Sequence, residues 1–181
     1  MGANAKDARI AADVAEAAVD GITGAEAIGQ FTSIAEADLF DMEYWSLELA
    51  KLGARKALPL EGQIAVITGG GGAIGAATAK AFADAGAQVA LLDLDAKAVE
   101  EKAKPIGGAA IVCDVTNAKS VSAAFAQVVK TFGGVDIVVS NAGAAWQGKI
   151  GEVDEKVLRE SFELNFFAHQ KVAQAAVKIM Q

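Results

Sequence analysis

Five glycines fall within residues 69–75, directly after an apolar run that ends in Thr68. Glycine inside a regular element costs about 0.5–1 kcal/mol relative to alanine, so bare backbone must have a use there. Between a strand and a helix it permits a tight turn and lets a pyrophosphate reach the amides of the helix N-terminus. Gly70, Gly72 and Gly75 satisfy the G-x-G-x-x-G spacing, but adjacent glycines make a chance match easy, and a flexible turn is the alternative.

A carboxylate follows at the distance that a dinucleotide site needs. Asp93 ends the second apolar run, 18 positions beyond Gly75. A carboxylate at that place accepts hydrogen bonds from the ribose hydroxyls and repels a 2′-phosphate, which favours NAD over NADP. The alternative is that Asp93 only caps the next helix, and Asp95 is a rival for either role.

Alternating strands and helices must position these groups. The pattern predicts strands over 64–68, 88–92, 110–113 and 135–140. It predicts helices over 74–85 and 95–104, from 117 or 120 to 132, and over about 154–180. Strands this apolar are buried on both faces, so we expect a doubly wound parallel α/β sheet of about four strands in the order 3-2-1-4.

Residues 1–60 are rich in alanine and acidic residues with helical spacing, unlike the rest of the chain. They are predicted to form a helical N-terminal appendage. Gly21 and Gly24 are expected to break a first helix, and a second helical pattern covers about 35–52. Residues 58–62 are typical of a linker because Pro59 disfavours helix at Leu58. The predicted domains are therefore 1–60 and 61–181.

Composition excludes several classes of partner. The formal net charge is −7 with no basic stripe, so no nucleic-acid partner is expected. No window reaches 18 consecutive apolar residues, so no membrane span is expected. The single cysteine, Cys113, fits a cytoplasmic location, and the single histidine, His169, leaves no histidine-rich metal site.

Four motifs together resemble the short-chain dehydrogenase/reductase family over about residues 62–181. "TGGGGAIG", residues 68–75, is similar to its Thr-Gly-x-x-x-Gly-x-Gly turn, and "SNAG", residues 140–143, to its Asn-Asn-Ala-Gly motif. Asp114 and Val115 match its adenine-side pair, and "FELNFFAHQ" places Asn165 at the asparagine of its catalytic set. The resemblance implies a Rossmann-like fold, an NAD-dependent oxidoreductase and a small-molecule substrate with a hydroxyl or carbonyl group.

The resemblance also implies which residues form the site. Asn165 is the catalytic candidate, and no metal ligand is expected. Ala73 stands where the family has its middle glycine, which could loosen the cofactor fit. Ser140 replaces the first asparagine of its motif, and its hydroxyl is expected to bond locally. The implied cofactor-binding residues are Thr68, Gly69, Gly71, Gly72, Ile74, Gly75, Asp93, Leu94, Asp114, Val115, Asn141, Ala142 and Gly143.

The family's proton-transfer residues, a serine after strand five and a Tyr-x-x-x-Lys pair, have no counterpart in these residues. The only tyrosine is Tyr44, before the first predicted strand. We therefore expect the chain to represent roughly the first half of such a domain and to be inactive in hydride transfer alone. Strand four and the helix carrying Phe162 and Phe166 would then be partly uncovered, which predicts a homo-oligomer.

The N-terminal part of the chain resembles the junction between two fused enzyme modules. "AKDARIAADV" and "FDMEYWSLELAKL", residues 40–52, are similar to the join in bifunctional rhamnulose-phosphate aldolase/alcohol dehydrogenase proteins. This resemblance implies an upstream aldolase module that holds the zinc histidines. It also implies a lactaldehyde-like substrate from deoxysugar breakdown. The alternative is that Tyr44, Trp45 and Leu47 only dock the helical piece on the sheet domain.

Other functional classes remain open at this point. The chain could be a non-catalytic dinucleotide-binding or regulatory module, or a methyltransferase, which also uses a glycine turn and an acid after strand two. Residues 1–60 could serve oligomerisation or docking. His169, one turn after Asn165, is expected to be packed or partly exposed rather than catalytic.

Overall fold

The computed structural model of the chain divides into two compact units, 1–57 and 58–181, and describes residues 5–43 and 58–180. Tyr44, Trp45 and Leu47, with the later part of the predicted second helix, lie outside the described residues. The first unit contains helices α1 (Ala5–Ile28) and α2 (Glu36–Glu43).

Helix α1 runs without interruption through Gly21 and Gly24, so the predicted break was wrong. A Cβ at either glycine would meet nothing within 4 Å, which shows that neither is required by a close approach. Each glycine costs about 1 kcal/mol of helix propensity, which this long alanine-rich helix absorbs. Nearly all described side chains of α1 and α2 are exposed.

The second unit is built on a parallel four-stranded sheet in the order β3-β2-β1-β4, as predicted. Val66 of β1 lies between Ala90 of β2 and Val138 of β4. Strand β4 is shorter than predicted, although the Asp136 amide still donates to the Ile64 carbonyl at 3.0 Å. The strands are β1 (Ile64–Thr68), β2 (Gln88–Asp93), β3 (Ala109–Val112) and β4 (Ile137–Val139).

Helices cover both faces of this sheet. Side-chain caps begin three of them: Asp95, Asn117 and Asp154 each accept backbone N–H bonds. Asn117, rather than Ser120, is therefore the residue that opens the third helix of this unit. The helices are α3 (Ala73–Asp84), α4 (Ala96–Ala103) with a 3₁₀ turn Lys104–Ile106, α5 (Ala118–Phe132), α6 (Glu155–Phe162) and α7 (Ala168–Met180).

The core lies on both sides of the strands, as the continuous apolar runs predicted. On one face, Val66 and Leu92 belong to a cluster with Phe125 of α5 and Val172 of α7. On the other face, Ile67 and neighbouring β2 residues pack with α3 and α4. This leaves the loops at the carboxyl ends of the strands free to form a site.

A π-helical turn, Glu163–Phe167, joins α6 to α7 and was not predicted. It reorients the helix so that Ala168, Val172 and Ala176 are buried, whereas Phe162 and Phe166 are 55% and 63% exposed. Within residues 5–43 and 58–180, no helix is both long and apolar enough to cross a membrane.

Candidate functional site

A cleft of about 330 Å³ opens at the carboxyl ends of the strands. It lies where β1 has β2 on one side and β4 on the other, the point at which open α/β sheets bind ligands. Most residues of the predicted site meet here. The cleft is lined by Gly69, Gly72, Ala73, Ile74, Gly75, Asp93, Asn141, Ala142 and Gly143.

The glycine turn is closed tightly on itself. Gly69 has φ +67°, a left-handed conformation that favours glycine. A Cβ at Gly75 would lie 2.2 Å from the Gly69 carbonyl oxygen, so only glycine fits there. Gly70 packs against β2, since its Cβ would lie 2.6 Å from Leu91 Cβ. The turn thus brings β1 into α3 with no side chain between them.

The N-terminus of α3 faces this cleft. Gly72 caps the helix without a side-chain hydrogen bond. The first amides of a helix have no partner within the helix, and together with its dipole they favour an anion. Ala73 is an exposed first helical residue, so its replacement of the family's glycine requires no unusual backbone.

Asp93 points into the glycine turn. Its Oδ2 accepts from the Gly71 amide at 2.9 Å and its Oδ1 from the Asp95 amide at 3.1 Å. A Cβ at Gly71 would lie 3.1 Å from this carboxyl group, so the glycine permits the approach. Asp95 is the cap of α4, with its Oδ1 accepting from Lys97 and Ala98 at 3.0 Å. The two acids therefore have separate roles, and the capping alternative for Asp93 was wrong.

Thr68 and Asn141 fasten the end of β4 to the glycine turn. The fully buried Thr68 Oγ1 accepts from the amides of Asn141 (2.9 Å) and Ala142 (3.0 Å). The Asn141 side-chain amide donates to the carbonyls of Thr68 (3.0 Å) and Gly69 (3.4 Å). Thr68 therefore acts on the cleft through the residues it holds.

Asn165 lies in the π-helical turn and holds the loop beyond Gly143. Its Oδ1 accepts from the Ala144 amide at 3.1 Å, and its Nδ2 donates to the Ala144 carbonyl at 2.8 Å. A Cβ on Gly143 would lie 2.9 Å from Asn165 Oδ1, so the glycine makes room for the clamp. π-helical turns of this kind are frequent at functional sites.

Six predicted site residues are not among those that line the cleft: Thr68, Gly71 and Asn165, whose contacts are given above, and Leu94, Asp114 and Val115. Leu94 is 71% exposed, and Val115 is buried. Asp114 Oδ1 accepts from the amide (2.9 Å) and hydroxyl (2.6 Å) of Thr116. The Asp114 turn therefore organises the entry to α5.

Cys113 is buried beside this turn. Burial raises the pKa of its thiol, a hydrogen bond from Ser120 opposes the rise, and the Asp114 charge adds to it. Within the part of the chain that the structure describes, no three His, Cys, Asp or Glu side chains are grouped to hold a metal ion.

Two family models match the chain. The short chain dehydrogenase model matches residues 63–181, and the model for aldolase class II, second domain, matches residues 1–52. The first match covers more than half of the sequence and includes the whole cleft. The chain belongs to the short-chain dehydrogenase family.

Individual relatives agree with this assignment. The chain is 36% identical over 166 residues to YuxG, an uncharacterized oxidoreductase of Bacillus subtilis (strain 168), covering 87% of this chain and 24% of the relative. It is 43% identical over 91 residues to D-threitol dehydrogenase of Mycolicibacterium smegmatis, covering 48% of this chain and 35% of that protein. The solved structure of a short-chain type dehydrogenase/reductase from Mycobacterium marinum is similar with a TM-score of 0.64 at 34% identity, covering 67% of this chain and 51% of that one.

Proposed function

We propose that this chain supplies the NAD-binding half of a short-chain dehydrogenase. The observation that carries the proposal is the position of the Asp93 carboxylate, 2.9 Å from the Gly71 amide, beside the first turn of α3, which no side chain caps. Amides suited to a pyrophosphate and a carboxylate suited to ribose hydroxyls thus share one cleft. The close approach of Gly75 to the Gly69 carbonyl, where only glycine fits, supports this use.

Each part of the cleft has a proposed task. The first-turn amides of α3, including that of Ile74, hold the pyrophosphate, and Asp93 holds the adenosine ribose. Gly69, Gly71 and Gly72 form the turn that lets the pyrophosphate approach, since the amides of Gly71 and Gly72 already donate to Asp93 and Gly69. Leu94, Asp114 and Val115 follow β2 and β3 and are proposed to border the adenine. Residues 141–143 form the wall on the β4 side, where Asn165 positions the backbone. Bound NAD would supply a hydride acceptor.

Charge supports NAD over NADP. Among the described residues that line the cleft, Asp93 is the only charged one. A carboxylate repels a 2′-phosphate, and no basic side chain in that lining compensates for it. The cofactor preference therefore depends mainly on one residue.

The proposed substrate is a small hydroxyl or carbonyl compound. The match of residues 1–52 to an aldolase model supports a sugar-derived, lactaldehyde-like substrate, because aldol cleavage releases a carbonyl compound. D-threitol dehydrogenase, among the relatives, is named for a small polyol. The family's acid/base pair is not found in these 181 residues, so we expect binding without turnover by this chain alone. A non-catalytic dinucleotide-binding or regulatory module remains the alternative.

We further propose a cytoplasmic homo-oligomer. Leu158, Phe162 and Phe167 line a groove of about 630 Å³ along α6, an apolar surface suited to self-association. Sedimentation of the purified chain tests this part, and a monomer at high micromolar concentration would contradict it.

Calorimetric titration with NAD, NADP and S-adenosylmethionine tests the cofactor. NAD is expected to bind most tightly. Asp93→Asn should weaken NAD binding by about 10- to 100-fold, the worth of a hydrogen bond to a charged group. Asp95→Asn is the matched control, because it removes a carboxylate two residues away that only caps α4. Equal loss in both variants, or binding of S-adenosylmethionine alone, would contradict the proposal.

A further inference from the structure

The hydroxyl of Ser140 does not bond locally as expected but reaches across to another element. Ser140 Oγ lies 2.6 Å from His169 Nδ1, 29 residues later in the chain. Ser140 directly follows β4, and His169 is in the first turn of α7. We infer that Ser140 and His169 form a positioning pair that fixes the β4 wall of the cleft and thereby sets its affinity for the dinucleotide. The effect on affinity rests on the proposed function.

Side-chain hydrogen bonds from other elements hold the segment 140–144 at several points. The pairing of β4 with β1 ends at Val139 and Ile67, so no strand pairing continues beyond that point. The segment is instead fixed at three places: Ser140 by His169, Asn141 and Ala142 by Thr68, and Ala144 by Asn165.

The two helical anchors act together. Asn165 and His169 are four residues apart, about one turn of the same helical stretch. That stretch therefore holds the segment at both ends while Thr68 holds its middle. Loss of the Ser140 anchor would free the end nearest β4, where β4 has only β1 as its neighbour among the described strands.

A shift of this segment reaches the glycine turn directly. Asn141 Nδ2 lies 3.4 Å from the Gly69 carbonyl, and the same carbonyl accepts from the Gly72 amide at 3.2 Å. The space there is already filled, since a Cβ at Gly75 would lie 3.0 Å from Asn141 Nδ2. Displacement of Asn141 would therefore disturb the amides proposed to hold the pyrophosphate.

Isosteric variants separate the hydrogen bond from packing. In His169→Asn the side-chain amide takes the place of Nδ1, whereas in His169→Gln it takes the place of Nε2. We expect Ser140→Ala and His169→Gln to weaken NAD binding by about three- to tenfold, the worth of one hydrogen bond, and His169→Asn to stay within about twofold of the wild type. The double variant Ser140→Ala/His169→Gln should bind no more weakly than either single variant.

The single histidine gives a second readout that needs no ligand. His169 is the only histidine in the chain, so its ring ¹⁵N signals form one unambiguous set. Ser140→Ala removes the hydrogen bond between Ser140 Oγ and His169 Nδ1. We therefore expect it to shift the Nδ1 signal of His169 and the backbone amide signal of Asn141, the residue next to Ser140. NAD is expected to shift the same ring signals in the wild-type chain.

The outcomes distinguish the inference from the proposed function. If the wild-type chain binds no NAD, the proposed function fails, while an unchanged Nδ1 signal in Ser140→Ala separately overturns the pair. Equal NAD affinity for the wild type, His169→Asn and His169→Gln overturns the inference while the proposed function stands. Ser140 is exposed, so Ser140→Ala should fold, as a thermal melt will check. If it does not fold, NAD binding without any shift of the wild-type ring signals overturns the inference.

Discussion

Replacement of Gly75 by alanine is expected to destabilise the protein and abolish dinucleotide binding. The added Cβ would lie 2.2 Å from the carbonyl oxygen and 2.8 Å from the carbonyl carbon of Gly69. Both contacts are with backbone, so no flexible side chain can move aside. Gly69 is also restrained, because it has φ +67° and its carbonyl accepts from the Gly72 amide.

The expected change in the free energy of unfolding combines one stabilising term and two destabilising terms. Alanine gains about 1 kcal/mol over glycine in a helix interior. Overpacking a filled site costs about 1–3 kcal/mol. A shift of the Gly69 carbonyl also weakens its hydrogen bonds, each worth about 0.5–1.5 kcal/mol. The net destabilisation is therefore about 1–3 kcal/mol. Each kcal/mol is expected to lower Tm by roughly 4 °C in a domain of this size.

Urea unfolding followed by circular dichroism measures this change, and calorimetry with NAD measures the binding. Gly134→Ala is the matched control. A Cβ there meets nothing within 4 Å and the residue does not have a positive φ. The control should be unchanged or more stable by about 0.4–1 kcal/mol. A Gly75→Ala protein as stable as the wild type, with unchanged NAD affinity, would refute the close-packed turn.

Three further predictions concern Thr68, Asn165 and Cys113. Thr68→Val leaves two amides without their acceptor and should cost about 2–4 kcal/mol in urea unfolding, whereas Thr68→Ser should cost less than half of that; equal costs would contradict the hydrogen-bond role. Asn165→Asp keeps the acceptor for the Ala144 amide but removes the donor to its carbonyl, so hydrogen exchange of the segment after Gly143 should accelerate, and unchanged exchange would argue against the clamp. Burial raises the pKa of Cys113, so stability should be retained below the ordinary thiol pKa and fall as pH rises above it, and Cys113→Ala should lack this decline.

The sheet could be predicted from the sequence because its information is local. Each strand is a short apolar run, and the two central strands, which are buried on both faces, end just before Gly69 and at Asp93. The parallel order follows from right-handed crossovers between neighbouring elements. Gly21 and Gly24 did not predict the break correctly, because each glycine costs only about 1 kcal/mol and the long alanine-rich helix absorbs that cost.

The site was predictable in its residue types but not in its contacts. Asp93 and Asp95 are two residues apart at a strand end, and only the backbone geometry after β2 decides that Asp95 caps α4 while Asp93 faces Gly71. The π-helical turn contains Asn165, whose bonds to Ala144 join residues 21 positions apart, and no local pattern encodes such bonds. The bond between Ser140 and His169 joins residues 29 positions apart, and no local sequence pattern around either residue predicts it.

Backbone amide shifts of the ¹⁵N-labelled chain on addition of NAD test the central claim most directly. The amide signals of the glycine turn, of Asp93 and of the β4 wall should all shift when the ligand binds. We predict saturable shifts at residues 69–75, 93–95 and 141–144. A titration to millimolar NAD that leaves the amides of residues 69–75 unmoved would contradict the assignment of this cleft.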